Sequence, residues 1–264
     1  MKSLHKALDV LFALSSSPSD SMALSELSRI VNIDKVIVHR ILRTFVERSV
    51  VVQDPATKRY RLGDQLIAMA GKRMASFKPL TLARPHLLAL WNETQETVHF
   101  NVLSQDESTV VQVLDSPQAI RVAGTLGQKA PLHCTASGKI FLAFGSDALR
   151  ERVLSVPLTR FTEKTVTEKD AILTILDKVR EEKCATDLEE YLPHAGAVAA
   201  PVFNRSGHCI AAVAVRAPIV RLDPERTKAL AASARKTAQT IGEELAHSSL
   251  LENGEGAWDF GGQS

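Results

Sequence analysis

One short stretch concentrates the side chains that can do chemistry. Residues 131–139 read PLHCTASGK, which places a histidine, a cysteine, two hydroxyl residues and a lysine ahead of an apolar run. A phosphate-binding loop would need a glycine five residues before Gly138, but His133 stands there, and Ile140 replaces the expected hydroxyl residue. A serine hydrolase would need the pattern GxSxG, which TASGK lacks.

Covalent chemistry and metal binding fit this stretch no better. Cys134 and His133 offer a nucleophile and a base, but sequence neighbours rarely point at each other and no third group is apparent. Zinc would need a second pair of ligands, and the other cysteines, Cys184 and Cys209, are not in metal-ligand spacing. We therefore predict no catalytic residue, no metal and no cofactor, and the odd number of cysteines indicates a reducing cytoplasm.

The favoured interpretation of PLHCTASGK is the start of a helix at the edge of a pocket. Ala136, Ser137 and Gly138 are small, and the apolar residues after them are expected to pack inward. The N-terminus of a helix presents free N–H groups and the positive end of the helix dipole, which together attract a carboxylate. The stretch therefore predicts a binding site for a small anion.

The strand-like segment VAVRAP carries a second indication of an anion. Strand alternation puts Arg216 on the same face as Ala214 and Ala212. An arginine among alanines on a half-buried strand needs a negative partner. That partner is either an internal acid, Asp187 or Glu189, or a bound ligand, and the sequence leaves both open.

Composition and charge divide the chain in two. Of its 264 residues, 45% are hydrophobic and 23% are charged, with no apolar run long enough to span a membrane. Residues 1–78 contain 13 Lys and Arg against 7 Asp and Glu, a net charge of +6, whereas the rest has 19 against 23, a net of −4. A small basic module that meets a polyanion, joined to a larger module that does not, is the expected organisation.

The basic module reads as a winged helix-turn-helix. Three short amphipathic segments precede a hairpin-like stretch, VVVQDPATKRYRLG, whose second strand is expected to carry its basic residues. The third helix would enter the major groove of DNA and the hairpin would contact phosphates. Ser25 is expected to cap the second helix. The predicted DNA-binding residues are Ser25, Lys35, Val36, Ile37, His39, Arg40, Arg43, Lys58 and Arg59.

The rest of the chain predicts a connecting helix and an antiparallel sheet. An apolar stripe between residues 64 and 78 is expected to pair with its copy in a dimer; its members are Leu66, Met69, Ala70, Met74 and Phe77. From residue 96 the apolar period becomes two, which predicts strands in ETVHFNVLS, STVVQVLD and AIRVAG, then a hairpin around NRSG. Helical segments lie between them, so the fold class is α+β.

Several motifs, in order, resemble the IclR-type bacterial transcriptional regulators. They are VHRIL and YRLG in the basic module, followed by ETVH, PLHCTASGK, DLEE and AAPVF. The resemblance spans about residues 3 to 247 and implies a GAF-like effector-binding domain. It makes Asp187 a pocket acid and puts Ala197 where relatives carry cysteine. The effector-binding residues expected from both lines of reasoning are Ala136, Ser137, Gly138, Asp187, Ala197, Ala214 and Arg216.

The predicted organisation is a DNA-binding domain at 1–63, a linker helix at 64–78, an effector domain at 79–250 and a flexible tail at 251–264. We expect a cytoplasmic regulator, a homodimer or homotetramer without membrane contact, that binds a roughly palindromic operator under control of a small organic acid. The alternative is an enzyme or metabolite-binding protein with an incidental basic head. The basic helix, the wing and the missing catalytic constellation favour the regulator.

Overall fold

The computed structural model describes residues 2–17, 19–75 and 78–247. The chain divides into two compact units, one ending at Lys78 and the other beginning at Pro79. The elements of the first unit are α1 (Lys2–Ser15), α2 (Leu24–Val31), α3 (Lys35–Glu47), β1 (Val51–Gln53), β2 (Tyr60–Leu62) and α4 (Asp64–Ala75). The predicted flexible tail at 251–264 lies outside the described residues, as does Phe77 of the predicted stripe.

The first unit is a three-helix head with a two-stranded wing, as predicted. Its core joins one face of each helix to the wing through Val10, Leu14, Leu27, Val38, Leu42, Val51 and Tyr60, all buried. The turn between α2 and α3 is fixed at both ends, because Asn32 adopts a left-handed conformation (φ 51°) and the Asp34 carboxylate accepts from the Val36 amide at 2.8 Å. This turn sets the angle at which α3 leaves α2.

Two local predictions for this unit are wrong. Ser25 does not cap α2: Ala23 occupies the N-cap position, and the Glu26 carboxylate accepts from the Ala23 amide at 2.7 Å. The basic residues before Tyr60 do not lie on the second wing strand, which begins only at Tyr60. Lys58 and Arg59 instead belong to a turn that Asp54 closes by accepting from two backbone amides, at 2.7 and 2.9 Å.

The second unit is a six-stranded antiparallel sheet, in the order β5-β4-β3-β8-β7-β6, covered by helices. Small residues of β7 and β8 pack against α6, while α9 packs against the same two strands. The residues of these strands alternate between the two faces of the sheet, so α6 packs on one face and α9 on the other. The elements are α5 (Lys78–Thr94), β3 (Thr97–Ser104), β4 (Glu107–Leu114), β5 (Lys129–Pro131), α6 (Ala136–Phe144), α7 (Asp147–Leu154), α8 (Lys169–Glu182), β6 (Ala185–Leu188), β7 (Ala195–Phe203), β8 (Cys209–Pro218) and α9 (Pro224–His247).

The predicted strand AIRVAG does not exist. Residues 119–124 form an irregular segment, and the strand next to β4 is β5, which the periodicity did not predict. The Gly124 amide donates to the Asp115 carboxylate at 3.1 Å, so a side chain replaces the strand partner. The rest of this segment therefore needs no place in the sheet.

Among the described residues, no helix is long and apolar enough to cross a membrane. The same residues contain no group of three or more histidine, cysteine or acidic side chains placed to hold a metal ion.

Candidate ligand pocket and nucleic-acid surface

The pocket is built on one lateral row of the sheet. Asp187 of β6 lies opposite Ala197 of β7, which lies opposite Arg216 of β8. Neighbouring strands are about 4.8 Å apart, so the acid and the arginine stand about 10 Å apart at the backbone. The methyl group of Ala197 fills little of the gap between them, and a cavity remains.

The cavity is closed by the start of α6. Ala197 and Ala214 line it from the sheet, and Thr135, Ala136 and Ser137 line it from the helix. Its interior is narrow, at about 40 Å³.

The helix start is only partly available to a ligand. Thr135 is the N-cap, and its hydroxyl accepts from the Gly138 amide at 3.1 Å. The Ser137 hydroxyl lies 2.9 Å from that of Ser108. The amides at the very start of a helix have no partner within it, and Ala136 and Ser137, unlike Gly138, line the cavity.

Gly138 therefore does not belong to the pocket wall, although we predicted it there. A side chain at this position would come within 2.5 Å of the Leu132 backbone. Its role is to let α6 approach the preceding segment.

Arg216 has no internal counter-ion within the part of the chain that the structure describes. Glu189 forms an ion pair with Lys164 and accepts from the His194 amide at 2.8 Å. Asp187 accepts from the backbone amides of Glu190 and Tyr191, at 2.8 and 3.3 Å, and influences Arg216 only through its charge. Arg216 is half-buried, and this burial lowers the pKa of its guanidinium.

The pKa of the Asp187 carboxyl is also shifted. Burial raises the pKa of its carboxyl to about 6, although the two backbone hydrogen bonds and the nearby Lys139 act in the opposite direction. Near neutral pH this carboxyl therefore exists in both protonation states, and it can accept a hydrogen bond or donate one.

Five polar residues of the pocket were not among the predicted effector-binding residues: His99, Asn101, Gln128, Thr135 and Tyr191. His99 and Asn101 alternate with Val98 and Phe100 on β3, and both sets are buried. Burial first, and the charge of Arg216 second, lower the pKa of His99 to about 3, so its imidazole is neutral. The buried Nε2 atom of His99 has no hydrogen-bond partner among the described residues.

The other reactive side chains of PLHCTASGK are held in structural roles. The His133 Nε2 lies 3.0 Å from the Thr159 carbonyl oxygen, and Lys139 forms a buried ion pair with Glu190. Burial raises the pKa of the Cys134 thiol to about 12. A thiol with this pKa stays protonated near neutral pH and is a poor nucleophile.

Helix α3 presents most of the predicted DNA-binding residues to solvent. Val38 and Leu42 are buried in the core, and the opposite side exposes Lys35, Val36, His39, Arg40 and Arg43. Arg43 pairs with Glu47 at 3.1 Å, but both side chains are more than half exposed. Such a pair contributes little to stability, so Arg43 can exchange its partner. Ile37 differs from the others because it is half-buried.

The other three predicted DNA-binding residues differ in whether their side chains are available to DNA. Lys58 is exposed in the wing turn, and Ser25 is exposed on α2. Arg59 is not free, because its guanidinium donates to the Ser21 carbonyl oxygen and to the Glu26 carboxylate, each at 2.9 Å. It fastens the wing to the segment before α2.

Comparisons with known proteins cover both units. Residues 3–55 match the IclR helix-turn-helix domain, and residues 74–243 match the family described as bacterial transcriptional regulator IclR C-terminal. The chain is 34% identical over 251 residues to the DNA-binding transcriptional repressor YiaJ of Escherichia coli, covering 92% of this chain and 88% of that protein. It is 29% identical to the transcriptional regulator KdgR of Escherichia coli, covering 94% of each.

The fold is also that of solved regulators. An IclR homologue from Microbacterium hydrocarbonoxydans, crystallised with 4-hydroxybenzoate, matches with a TM-score of 0.82 at 22% identity, over 93% of this chain and 100% of that one. With a helix-turn-helix head and an effector-domain sheet that both match, this chain belongs to the IclR family of bacterial transcriptional regulators.

Proposed function

We propose that this regulator is controlled by a small organic acid bound between Asp187 and Arg216. The observation that carries the proposal is the guanidinium of Arg216, which lies at the cavity without a counter-ion among the described residues. A half-buried charge without a partner is unfavourable, and a bound carboxylate would offset that cost.

The dimensions of the cavity fit one end of such an acid. The narrow interior, at about 40 Å³, suits a small group such as a carboxylate, which Arg216 can bind with two parallel hydrogen bonds. The amides at Ala136 and Ser137 supply further donors. Across the cavity, Asp187 is placed to accept from, or donate to, a hydroxyl group of the ligand. A hydroxylated acid therefore uses both walls.

On the DNA side, we propose that α3 enters the major groove. Arg40 and Arg43 can reach guanines or phosphates, and Val36 can contact thymine methyl groups. Lys58 would contact phosphate from the wing turn. We withdraw Arg59 as a phosphate contact, because it is occupied by Ser21 and Glu26.

The proposal includes a dimer on a roughly palindromic operator in the cytoplasm. Helix α4 exposes Met69 of the predicted stripe, which is 59% exposed, and Ile67, which is 71% exposed on nearly the opposite side of the helix. A large apolar side chain as exposed as Met69 would be covered by a second copy of the helix, and two-fold symmetry would then present α3 to two half-sites. Leu4, Leu8 and Phe12 form a second exposed apolar stripe, on α1.

The test combines ligand and DNA binding. A panel of hydroxylated carboxylic acids, their amides and their amines is screened by thermal shift. Each stabilising compound is then added to the protein bound to its own upstream DNA, in a gel-shift titration at two salt concentrations. We expect acids alone to stabilise the protein and to change its DNA affinity, which should itself fall steeply with salt. Stabilisation by amides or amines alone would contradict the proposal.

A further inference from the structure

The wall of the pocket opposite α6 includes a group that the proposed acid does not explain. His99 is 2% exposed, and its Nε2 atom lacks a hydrogen-bond partner within the described residues. It lies on β3 opposite Ala214, two positions from Thr97, which pairs with Arg216. An unpartnered buried polar atom is a costly feature, so its side chain gains free energy from any partner that enters the cavity.

The ring of His99 fills the space beside Gly124. A Cβ atom at residue 124 would lie 2.1 Å from Nε2 and 2.9 Å from Cε1 of His99. These distances mean that the ring rests directly on the glycine backbone. If the ring turned toward the cavity, Gly124 would lose this packing contact. Conversely, a larger side chain at residue 124 would displace the ring into the cavity.

Gly124 is connected in turn to the first helix of the second unit. Its amide donates to the Asp115 carboxylate at 3.1 Å, and the Trp91 indole N–H donates to the Asp115 carbonyl oxygen at 2.7 Å. Trp91 belongs to α5, which begins at Lys78, where the DNA-binding unit ends. The contacts His99–Gly124–Asp115–Trp91 thus join the pocket to α5, the helix that begins where the DNA-binding unit ends.

We propose that His99 senses the occupancy of the pocket and that residues 115–124 transmit it to α5. An acid that approaches Arg216 also approaches His99. The neutral imidazole then turns to donate a hydrogen bond to the ligand, Gly124 loses its support, and Asp115 moves with Trp91. This inference rests on the proposed effector site, since it names how that same site is read.

The test uses steric pressure in place of the unidentified ligand. Gly124→Ala puts a methyl group where the His99 ring stands, so either the ring or residues 115–124 must move. The full-length variant is titrated with the protein's own upstream DNA. We expect its affinity to differ at least tenfold from that of wild type.

Two further backgrounds decide whether the route is the proposed one. In His99→Ala the 2.1 Å contact with the ring is gone and Val113 Cγ1, at 2.9 Å, is the remaining close neighbour, so Gly124→Ala should change DNA affinity less than twofold there. In Trp91→Phe the donor to Asp115 is missing, so the effect of Gly124→Ala should again disappear. Wild-type affinity in folded Gly124→Ala, or an equal effect in all three backgrounds, would overturn the proposal.

A replacement variant and a second measurement complete the test. If Gly124→Ala does not fold, Asp115→Ala replaces it, because it frees the Gly124 amide from an exposed carboxylate without crowding the core. Hydrogen exchange of residues 85–94 is measured on every variant. It should change in Gly124→Ala and not in the double variant with Trp91→Phe. Because this readout needs no DNA, it separates a failure of the relay from a failure of the proposed function.

Discussion

Replacing Arg216 by methionine should weaken ligand binding and strengthen the fold at the same time. Methionine keeps much of the side-chain volume but removes the charge that has no counter-ion among the described residues. A hydrogen bond to a charged group contributes about 1.5–3 kcal/mol, and about 1.4 kcal/mol corresponds to a tenfold change in affinity. Arg216→Met should therefore bind the acid roughly ten- to a hundredfold more weakly.

The gain in stability follows from the same geometry. An ion pair with Asp187 or Glu189 would make its removal costly, since one charge would be left buried alone. No such pair exists among the described residues, so methionine removes a half-buried charge that lacks a counter-ion and should raise the melting temperature.

The assay is calorimetry for binding and a thermal melt for stability, with Arg152→Met as the matched control. Arg152 pairs with Asp106 at 2.9 Å, and both are about half exposed, so this control removes an equal charge far less buried than Arg216. It should leave ligand affinity unchanged. The reasoning is refuted if Arg216→Met melts well below wild type yet binds the acid equally tightly, because Arg216 would then be structural.

Three other predictions test separate parts of the molecule. Arg40→Ala should weaken binding to upstream DNA by roughly ten- to a hundredfold, as about 1–3 kcal/mol per base contact implies, without changing ligand affinity; a gel-shift titration checks this, with Arg48→Ala as control. Met69→Glu should halve the sedimenting mass, whereas Ile67→Glu, on nearly the opposite side of the same helix, should not; an unchanged mass in Met69→Glu would move the interface to the α1 stripe or the second unit. Stability should fall as pH rises between the ordinary pKa of aspartate, 3.8, and about 6, because folded Asp187 holds its proton more tightly than the unfolded chain does. The loss is up to about 3 kcal/mol, since each pKa unit is worth about 1.36 kcal/mol. Urea titrations of wild type and Asp187→Asn across that range should show this dependence in wild type only.

Much of the fold was predictable because local pattern and tertiary packing agree. In α3, the apolar spacing alone identified the buried Val38 and Leu42 and the exposed basic side. The strand period of two and its turn residues identified the hairpin around NRSG, where Asn204 and Gly207 form the turn. Two residues that line the cavity were also predicted, Arg216 from its place among alanines on a strand and Asp187 from the resemblance to IclR-type regulators.

The errors come from contacts that are distant in sequence. Arg59 reads as a free basic residue of a hairpin until Ser21 and Glu26, 38 and 33 positions away, are brought against it. AIRVAG has the apolar content of a strand, but the bond from Gly124 to Asp115 holds it outside the sheet. Neither partner can be found by local periodicity, which records only the spacing of residues within one element.

His99 was missed for a different reason, since its signal was present. In ETVHFNVLS the apolar residues alternate with His99 and Asn101, a pattern usually read as a buried face and a solvated one. Here helices cover both faces of the sheet, so the polar residues are buried as well. Strands predicted to lie between two helical layers should therefore have their polar positions examined first, because each one must find a partner or face a cavity.

The alanines beside these polar groups explain why the cavity persists. A larger residue at position 197 would fill the space between Asp187 and Arg216. Ala197 leaves that space open. The two charges would neutralise each other if they paired across it, but the amides of Glu190 and Tyr191 hold the Asp187 carboxylate. Arg216 therefore keeps its hydrogen-bond donors for another partner. The small residue thus preserves two opposite binding functions on one face of the sheet, which is what recognition of a hydroxylated acid requires.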